Sequence, residues 1–417
     1  MDGPLTDGAP KTELRRALSL PLIILYGVGT TVGAGIYVLV GEVAAVAGTT
    51  TPFSFLVAAV LAGLSAFSFA ELCGRYPKSA GEALYVRTAF GRERLSTAIG
   101  LLVVGAGVIS AATVIRGATG YIGVFVDLPL VPTLLVLTAI LGLTAAWGIL
   151  EAVSAAALLT IIELGGLALV IWVGAPALAA VPEAFPTMIP TWQAAPVVAV
   201  VAGGVVAFFA FIGFEDMVNV AEEVKNAPRN MPIAIVTTLV ITTALYVLVS
   251  VIAVLVVPMN ELAGSDAPLA RVLERGFTGA PQIISAISLV AVANGALIQI
   301  IMASRILYGL GRAEQLPAFF ATINRRTRTP LLATATVVLA VALFTTALPL
   351  LTLAKAASLA ILIVFATVNL ALVVIKRREW GQPVASFSVP MAVPALGFIA
   401  SAAIVLFEVV RWITTLG

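Results

Sequence analysis

The chain has 417 residues, 61% of them hydrophobic and only 11% charged, with a mean hydropathy of +1.12. Soluble domains carry about 25% charged residues, so this composition excludes a soluble protein and points to one polytopic membrane domain. A net charge of +2 gives no field for nucleic acid, the lone Cys73 excludes an intrachain disulfide or a cysteine metal site, and the lack of histidine leaves any proton movement to carboxylates, Lys or Tyr.

Residues 1–18 are polar, contain Asp2, Asp7 and Glu13, and lack the apolar core of a signal peptide. They read as a short cytoplasmic tail, and 19–417 as a single transmembrane domain. Apolar runs of spanning length follow near 19–47, 52–73, 95–125, 131–149, 153–175, 196–221, 232–257, 281–311, 331–349, 352–375 and 387–411. The fold class is therefore all-α with eleven membrane helices, called spans 1 to 11 below. Spans 3 and 8 are longer than a straight crossing needs and should tilt. The amphipathic connector SAGEALYVRTAFGRER ahead of span 3 reads as a segment lying on the membrane surface.

Lys and Arg set the orientation. With the N-terminus inside, most of the 23 basic residues fall in cytoplasmic segments, against Arg271, Arg275 and Arg411 outside. An odd number of spans then leaves the C-terminus outside. The expected location is the cell membrane, with the lipid bilayer as surroundings and no nucleic acid as partner; the oligomeric state is left open.

Span 1 carries Gly27, Gly29, Gly33 and Gly35 with Thr30 and Thr31. Each glycine weakens a helix by about 1 kcal/mol against alanine. Broken backbone at membrane depth is tolerated only inside protein or beside a polar cavity. Freed N–H groups there suit an anion, while close helix packing through small residues explains the glycines equally well. Span 6 reads GGVVAFFAFIGFEDMVNVAEEVKN, with Gly213 in mid-span and Glu215 and Asp216 directly after it. Two adjacent carboxylates at that depth should face a cavity or a broken helix end. The two interrupted spans are five apart, so two five-helix units would lie inverted, repeat one at about 19–175 and repeat two at about 196–376, with an additional helix at about 387–411.

These pieces resemble the amino acid–polyamine–organocation superfamily, and within it bacterial permeases of the cationic amino acid transporter-like type. The resemblance is carried by TTVGAGIYVLVGEVAAVAG in span 1, FFAFIGFEDMVNVAEEVKNAPRNMP in span 6 and its exit, SRILYGLGRAEQLP after span 8, and NLALVVIKRR with FSVPMAVPALG around spans 10 and 11. It implies a five-plus-five inverted repeat with an amino acid bound at the bilayer midplane between broken helices 1 and 6. The carboxylate would meet backbone N–H groups around Val32, Gly33, Ala34 and Gly35. The amine would meet carbonyls around Gly29 and Thr31 and from Phe208 to Phe211, Ala210 included, with Gly213 and Glu215 completing the set. Members usually have twelve helices or more, and this chain has eleven runs. Many relatives also carry a mid-span lysine in span 5, where this chain has Glu163.

Glu163 lies about ten residues from either end of its span. Desolvation favours the neutral form of a buried carboxyl, which makes Glu163 a candidate proton carrier or cation ligand, against a structural hydrogen bond. The family match in span 8 puts Asn294 beside it. Arg116 in span 3 is a candidate gate for the outer side, with a structural ion pair as the simpler reading. Glu222 and Glu223 should pair with Arg75 or Arg305 and lock the inner gate. Phe208, Phe209 and Phe211 are candidates for a lid over an apolar substrate side chain. The function expected is secondary transport of neutral amino acids, with protons as the coupling ion; a polyamine or cationic amino acid carrier is the alternative, favoured if Glu215, Asp216 and Glu163 line the pocket. A non-transporting sensor or a channel on the same scaffold is the reading from a different class; a channel would want a polar ring, which is not visible. With no nucleophile–base pair, metal cluster or phosphate loop, neither an enzyme nor a cofactor is expected.

Overall fold

The computed structural model describes residues 18–77, 81–147, 153–191, 193–324, 326–327, 329–381 and 387–416. Residues 1–17 of the expected tail, 1–18, lie outside them, as do Lys78, Arg325 and Arg328. The described residues are almost wholly helical. Among the described residues nine stretches are long and apolar enough to cross a membrane, the first of them spanning Leu20–Arg75, and Leu331–Ala347 is a shorter apolar helix of 17 residues.

In chain order, span 1 is divided into α1 (Leu20–Val32) and α2 (Ala34–Ala47), and span 2 is α3 (Thr51–Arg75). A short helix, α4 (Gly81–Phe90), leads to α5 (Glu93–Gly123), α6 (Leu130–Trp147) and α7 (Val153–Gly174), which are spans 3 to 5. After α8 (Val181–Met188), span 6 begins as α9 (Ala194–Phe208). It continues in the tighter 3₁₀ form at Phe209–Phe211 and again at Glu215–Glu223. Span 7 is α10 (Ala227–Val256), followed by the short α11 (Met259–Leu262) and α12 (Pro268–Leu273). Spans 8 to 11 are α13 (Ala280–Arg312), α14 (Leu331–Ala347), α15 (Leu350–Arg378) and α16 (Ala392–Leu416).

The helices follow from sequence in a simple way. Lipid offers backbone groups no partner, so an apolar run must satisfy its own N–H and C=O groups as helix. Pro at the first turn of α3, α10 and α13 loses only a donor that a helix start leaves unbonded anyway. The most extensive packing joins α3 to α10 and α5 to α13, that is, spans 2 with 7 and 3 with 8, each pair five apart. The two longest helices are α13, with 33 residues, and α5, with 31. At 1.5 Å per residue each is about 45–50 Å long, beyond the ~30 Å of a bilayer's hydrocarbon.

One expectation is corrected here. The amphipathic connector does not lie on the surface: Gly81, Glu82, Tyr85, Val86 and Ala89 of α4 are buried against α5, α15 and the Glu215–Glu223 turn. Its apolar stripe faces protein instead of headgroups, a distinction periodicity cannot make.

The face carrying most of the basic residues is held by a polar knot. Glu71, fully buried near the end of α3, accepts from Lys376 Nζ at 2.7 and 2.9 Å and from Arg75 at 2.5 and 2.9 Å. Ser388 Oγ at 3.2 Å and the Val389 N–H at 2.8 Å complete its shell. Arg75 also pairs with Glu379. Deeper in the same interface Asn369 of α15 bonds Ser65 at 2.9 Å and Ser68 at 2.6 Å, both on α3. These bonds fasten span 2 to span 10 and to the entrance of span 11.

Candidate functional site

The two interrupted spans meet at their breaks. The interruption in span 1 is one residue wide: α1 ends at Val32, Gly33 is non-helical, and α2 starts at Ala34. The other glycines of that run are packed. A Cβ on Gly27 would come within 2.4 Å of Met217 Sδ, one on Gly29 within 1.8 Å of Thr160 Oγ1, and one on Gly35 within 2.7 Å of the Ala210 Cα. Only Gly33 faces room, its nearest would-be contact being the Gly29 carbonyl at 3.5 Å. The packing explanation thus holds for three of the four, and the open-backbone explanation for Gly33.

Span 6 leaves α-helical form after Phe208 and does not recover it. Gly213 adopts φ +128°, where a Cβ would lie 2.2 Å from the Thr30 carbonyl. Both the left-handed backbone and the contact demand glycine. Glu215 Oε2 accepts from the Gly213 N–H at 2.8 Å, so this carboxylate bonds a backbone donor that the break exposes.

Tyr246 of α10 joins the two breaks. Its hydroxyl lies 2.7 Å from the Thr31 carbonyl and 2.7 Å from the Ala210 carbonyl, and its ring meets Phe211 edge-on. Freed carbonyls of both spans thereby converge on one fully buried phenol.

Beside the breaks lies a small cavity of about 40 Å³, lined by Thr30, Thr31, Gly33, Ala34, Gly35, Ser110, Val114, Phe209, Ala210, Ile212, Gly295, Ile298 and Gln299. Its walls hold no charged side chain among the described residues. Of the residues expected to hold substrate, Thr31, Gly33, Ala34, Gly35 and Ala210 line it. Val32, Gly29, Gly213 and Glu215 stand behind the wall. Phe208 and Phe211 do not line it; both are fully buried, Phe208 against Phe365 and Phe211 against Tyr246, and Phe209 takes the lining position. Ser110, Gln299 and Gly295 are lining residues that sequence reasoning missed. The only available signal was a polar or small residue in mid-run on spans 3 and 8.

Glu163 sits apart from this cavity, fully buried on α7. Asn294 Nδ2 donates to its Oε1 at 2.9 Å, while Oε2 has no partner among the described residues. Tyr37 donates to the Glu163 backbone carbonyl and in turn accepts, through its own carbonyl, from Tyr121 at 2.5 Å. Span 5 is thus bonded to the half of span 1 beyond the break.

A second cavity, of about 950 Å³, opens at the C-terminal end of α5 and is lined in part by Glu42, Arg116, Gly117, Asp127, Asp266, Arg271 and Glu274. Arg116 lies in its wall and donates to the Thr345 carbonyl at 2.8 Å. The ion pair expected for it is replaced by a cation at the carbonyl-rich end of α14, which a helix dipole favours. Gly117 in this wall is three residues from Val114 in the small cavity, about 4.5 Å along the helix. At the other end Arg75 is engaged by Glu71 and Glu379, so the pairing of Glu222 or Glu223 with Arg75 is corrected. Glu223 and Arg305 share an electrostatic neighbourhood around Tyr26. Glu82, at the start of α4, is also buried there; desolvation pushes its carboxyl from 4.5 up to about 7, a bond to its own backbone opposing and the Asp216 charge adding to the rise.

A family model described as amino acid permease matches residues 18–414. The chain is similar to the mitochondrial cationic amino acid transporter 3 of Arabidopsis thaliana, 29% identical over 395 residues, covering 87% of this chain and 63% of the relative. It is similar to the branched-chain amino acid permease BcaP of Bacillus subtilis, 27% identical over 399 residues, covering 89% of this chain and 83% of the relative. A methylthioribose transporter of the same bacterium is 26% identical over 413 residues, covering 93% and 87%. The chain spans less than two thirds of the length of the plant transporters it matches, 63% of the mitochondrial one and 54% of a vacuolar one.

Proposed function

Since this chain belongs to the amino acid permease family, polytopic helical membrane proteins, we propose that it is a secondary transporter of neutral amino acids working by alternating access around the breaks in spans 1 and 6. The observation that carries this reading is the small cavity between the two breaks, whose walls hold backbone and neutral side chains only among the described residues.

The chemistry follows from the helix ends. The start of α2 presents free N–H groups and a partial positive charge, which suits the substrate carboxylate. The end of α1 and the 3₁₀ turn of span 6 present carbonyls, which suit the ammonium group. Gly33 leaves the backbone bare where the carboxylate would approach. Every α-amino acid offers both groups, so selectivity falls to the side-chain end of the cavity. Glu215, Asp216 and Glu163 stay out of the lining, which favours neutral over cationic substrates. Relatives named for cationic amino acids make arginine the informative competitor. The pairing of spans 2 with 7 and 3 with 8 supports an inverted five-plus-five arrangement, because such pairs would straddle the pseudo-symmetry axis. The large cavity at one end and the polar knot at the other support a state open toward the side that the Lys and Arg bias makes extracytoplasmic.

The proton is the coupling ion in this reading, with Glu163 as its carrier. Protonated, Glu163 sits in a dry bundle as a neutral donor. Ionised, its unpartnered oxygen calls for water or a cation, and span 5 must open to supply it. Two protonation states that prefer two packings are the differential interaction coupling requires. The test is uptake of labelled amino acids into proteoliposomes. Wild type should concentrate alanine, serine or leucine when protons flow inward. Glu163→Gln should still exchange substrate but lose stimulation by the gradient. Strong preference for arginine, or full proton stimulation in Glu163→Gln, would overturn the respective parts.

A further inference from the structure

Backbone recognition of the amino acid leaves two polar side chains in the cavity wall without a task. One is Ser110 of α5: it is 4% exposed and its Oγ has no hydrogen-bond partner among the described residues. A buried hydroxyl in that condition is costly and rare. The other is Gln299 of α13, whose Nε2 donates to Asp216 Oδ2 at 3.3 Å.

A carboxylate oxygen accepts and does not donate. Asp216 therefore decides which end of the Gln299 carboxamide it meets, and takes the nitrogen. The carbonyl Oε1 is turned toward α5, where it stands 3.1 Å from the place a Cβ on Gly107 would occupy. Gly107 and Ser110 are three residues apart, just under one turn. This side of the cavity thus offers a fixed acceptor and an unspent hydroxyl within a turn of each other. Asp216 is 8% exposed and does not itself line the cavity. Its charge is felt by three neighbouring titratable groups, Glu215, Glu82 and Tyr26.

We propose that Asp216 is a positioning residue which, acting through Gln299, makes this cavity select short amino acid side chains that end in a hydroxyl. The inference rests on the transport reading above and names its substrate class. A substrate hydroxyl donates to Gln299 Oε1 and accepts from Ser110 Oγ, so the buried groups on both sides are satisfied. A methyl group of the same size leaves both unpaired, and sites built to bond a hydroxyl reject its apolar isostere for that reason. Without Asp216 the carboxamide has no fixed orientation, and the acceptor is no longer held toward α5. The small volume, about 40 Å³, fits a short side chain.

Serine and 2-aminobutyrate differ only by hydroxyl against methyl, and their uptake into proteoliposomes is the test. Wild type should show a KM for serine lower by at least roughly tenfold, the fold-change that either of the two neutral hydrogen bonds carries alone. Asp216→Ala should bring the two KM values together, and Asp216→Glu, which keeps an acceptor-only carboxylate for Nε2, should restore the serine preference. Should Asp216→Ala not fold, Gln299→Leu should likewise bring the two KM values together. Equal KM values in wild type, or an equal loss for both substrates in Asp216→Ala and Gln299→Leu, overturn this inference and leave the transport reading standing. Failure of wild type to move any amino acid overturns the transport reading and this inference with it.

Discussion

The two breaks solve one problem in unlike ways. Span 1 is interrupted at a single residue, Gly33, and α-helix resumes at once. Its remaining glycines press against Met217, Thr160 and Ala210. Span 6 gives up α-helical form from Phe209 onward and runs as 3₁₀ turns to Glu223, a length at which that form is uncommon. Poor hydrogen-bond geometry over so many residues makes span 6 the softer partner. In the proposed alternating-access cycle span 1 is the rigid template for binding, and span 6 is the element rebuilt between states.

That contrast can be broken most severely at Gly213. An alanine there must hold a left-handed backbone and meet the Thr30 carbonyl at 2.2 Å. Gly213→Ala should cost at least about 3 kcal/mol and abolish recovery of folded protein in fluorescence-detected size exclusion; normal yield would mean that span 6 relaxes around the methyl.

Next in size is a pair of substitutions within span 1. Gly33→Val should leave the fold intact, since a Cβ meets nothing closer than 3.5 Å, yet weaken amino acid binding by at least about a hundredfold by covering bare backbone. Gly29→Val should do the reverse and lower stability, because Thr160 occupies the space. Calorimetric binding together with Tm separates the two; unchanged affinity in Gly33→Val would remove span 1 from the site. Tyr246→Phe follows, with a loss of about 1–2 kcal/mol from two carbonyls left without their shared donor. Its Tm should fall and hydrogen exchange should rise in span 6 more than in span 1. Equal rises would erase the distinction between template and mover.

The smallest effect concerns pH at the end of span 6. Glu82 is held near 7 in the folded chain against 4.5 ordinarily, so the native state binds more protons than the unfolded chain between those values. Its contribution is fully present below 4.5 and is lost as pH rises through 7. Tm should decline across that window, and Glu82→Gln should flatten the decline. An unchanged slope in the variant would show that Glu82 is not the group that makes Tm fall.

Much of this was legible in the residues. Lipid forces long apolar runs into helix, so the positions of helices followed from hydropathy, and Gly213 announced its break through the carboxylates beside it. Asn294 was placed beside Glu163 by the family match, and the two are bonded. Directions of side chains at a break were not legible. Once the helical period is lost, Phe208, Phe209 and Phe211 cannot be assigned to inside or outside by spacing, and two of the three turned away from the cavity. Ser110 and Gln299 escaped because one polar residue in an apolar run carries no pattern of its own. The stripe on α4 was visible, but a stripe says that something apolar covers it, not whether lipid or protein does.

Glu71 places a demand on how the chain is made. Its carboxylate enters the membrane with span 2, while Lys376, its closest cation apart from Arg75, lies 305 residues further along. At translation rates of about 5–20 residues per second, roughly 15–60 s pass between the two. Until Lys376 is made, Arg75, four residues on, is the cation of the knot already present. The neighbouring arginine thus acts as an interim partner during synthesis, and the knot closes only when Lys376 and then Val389 emerge and draw the last two spans against the second.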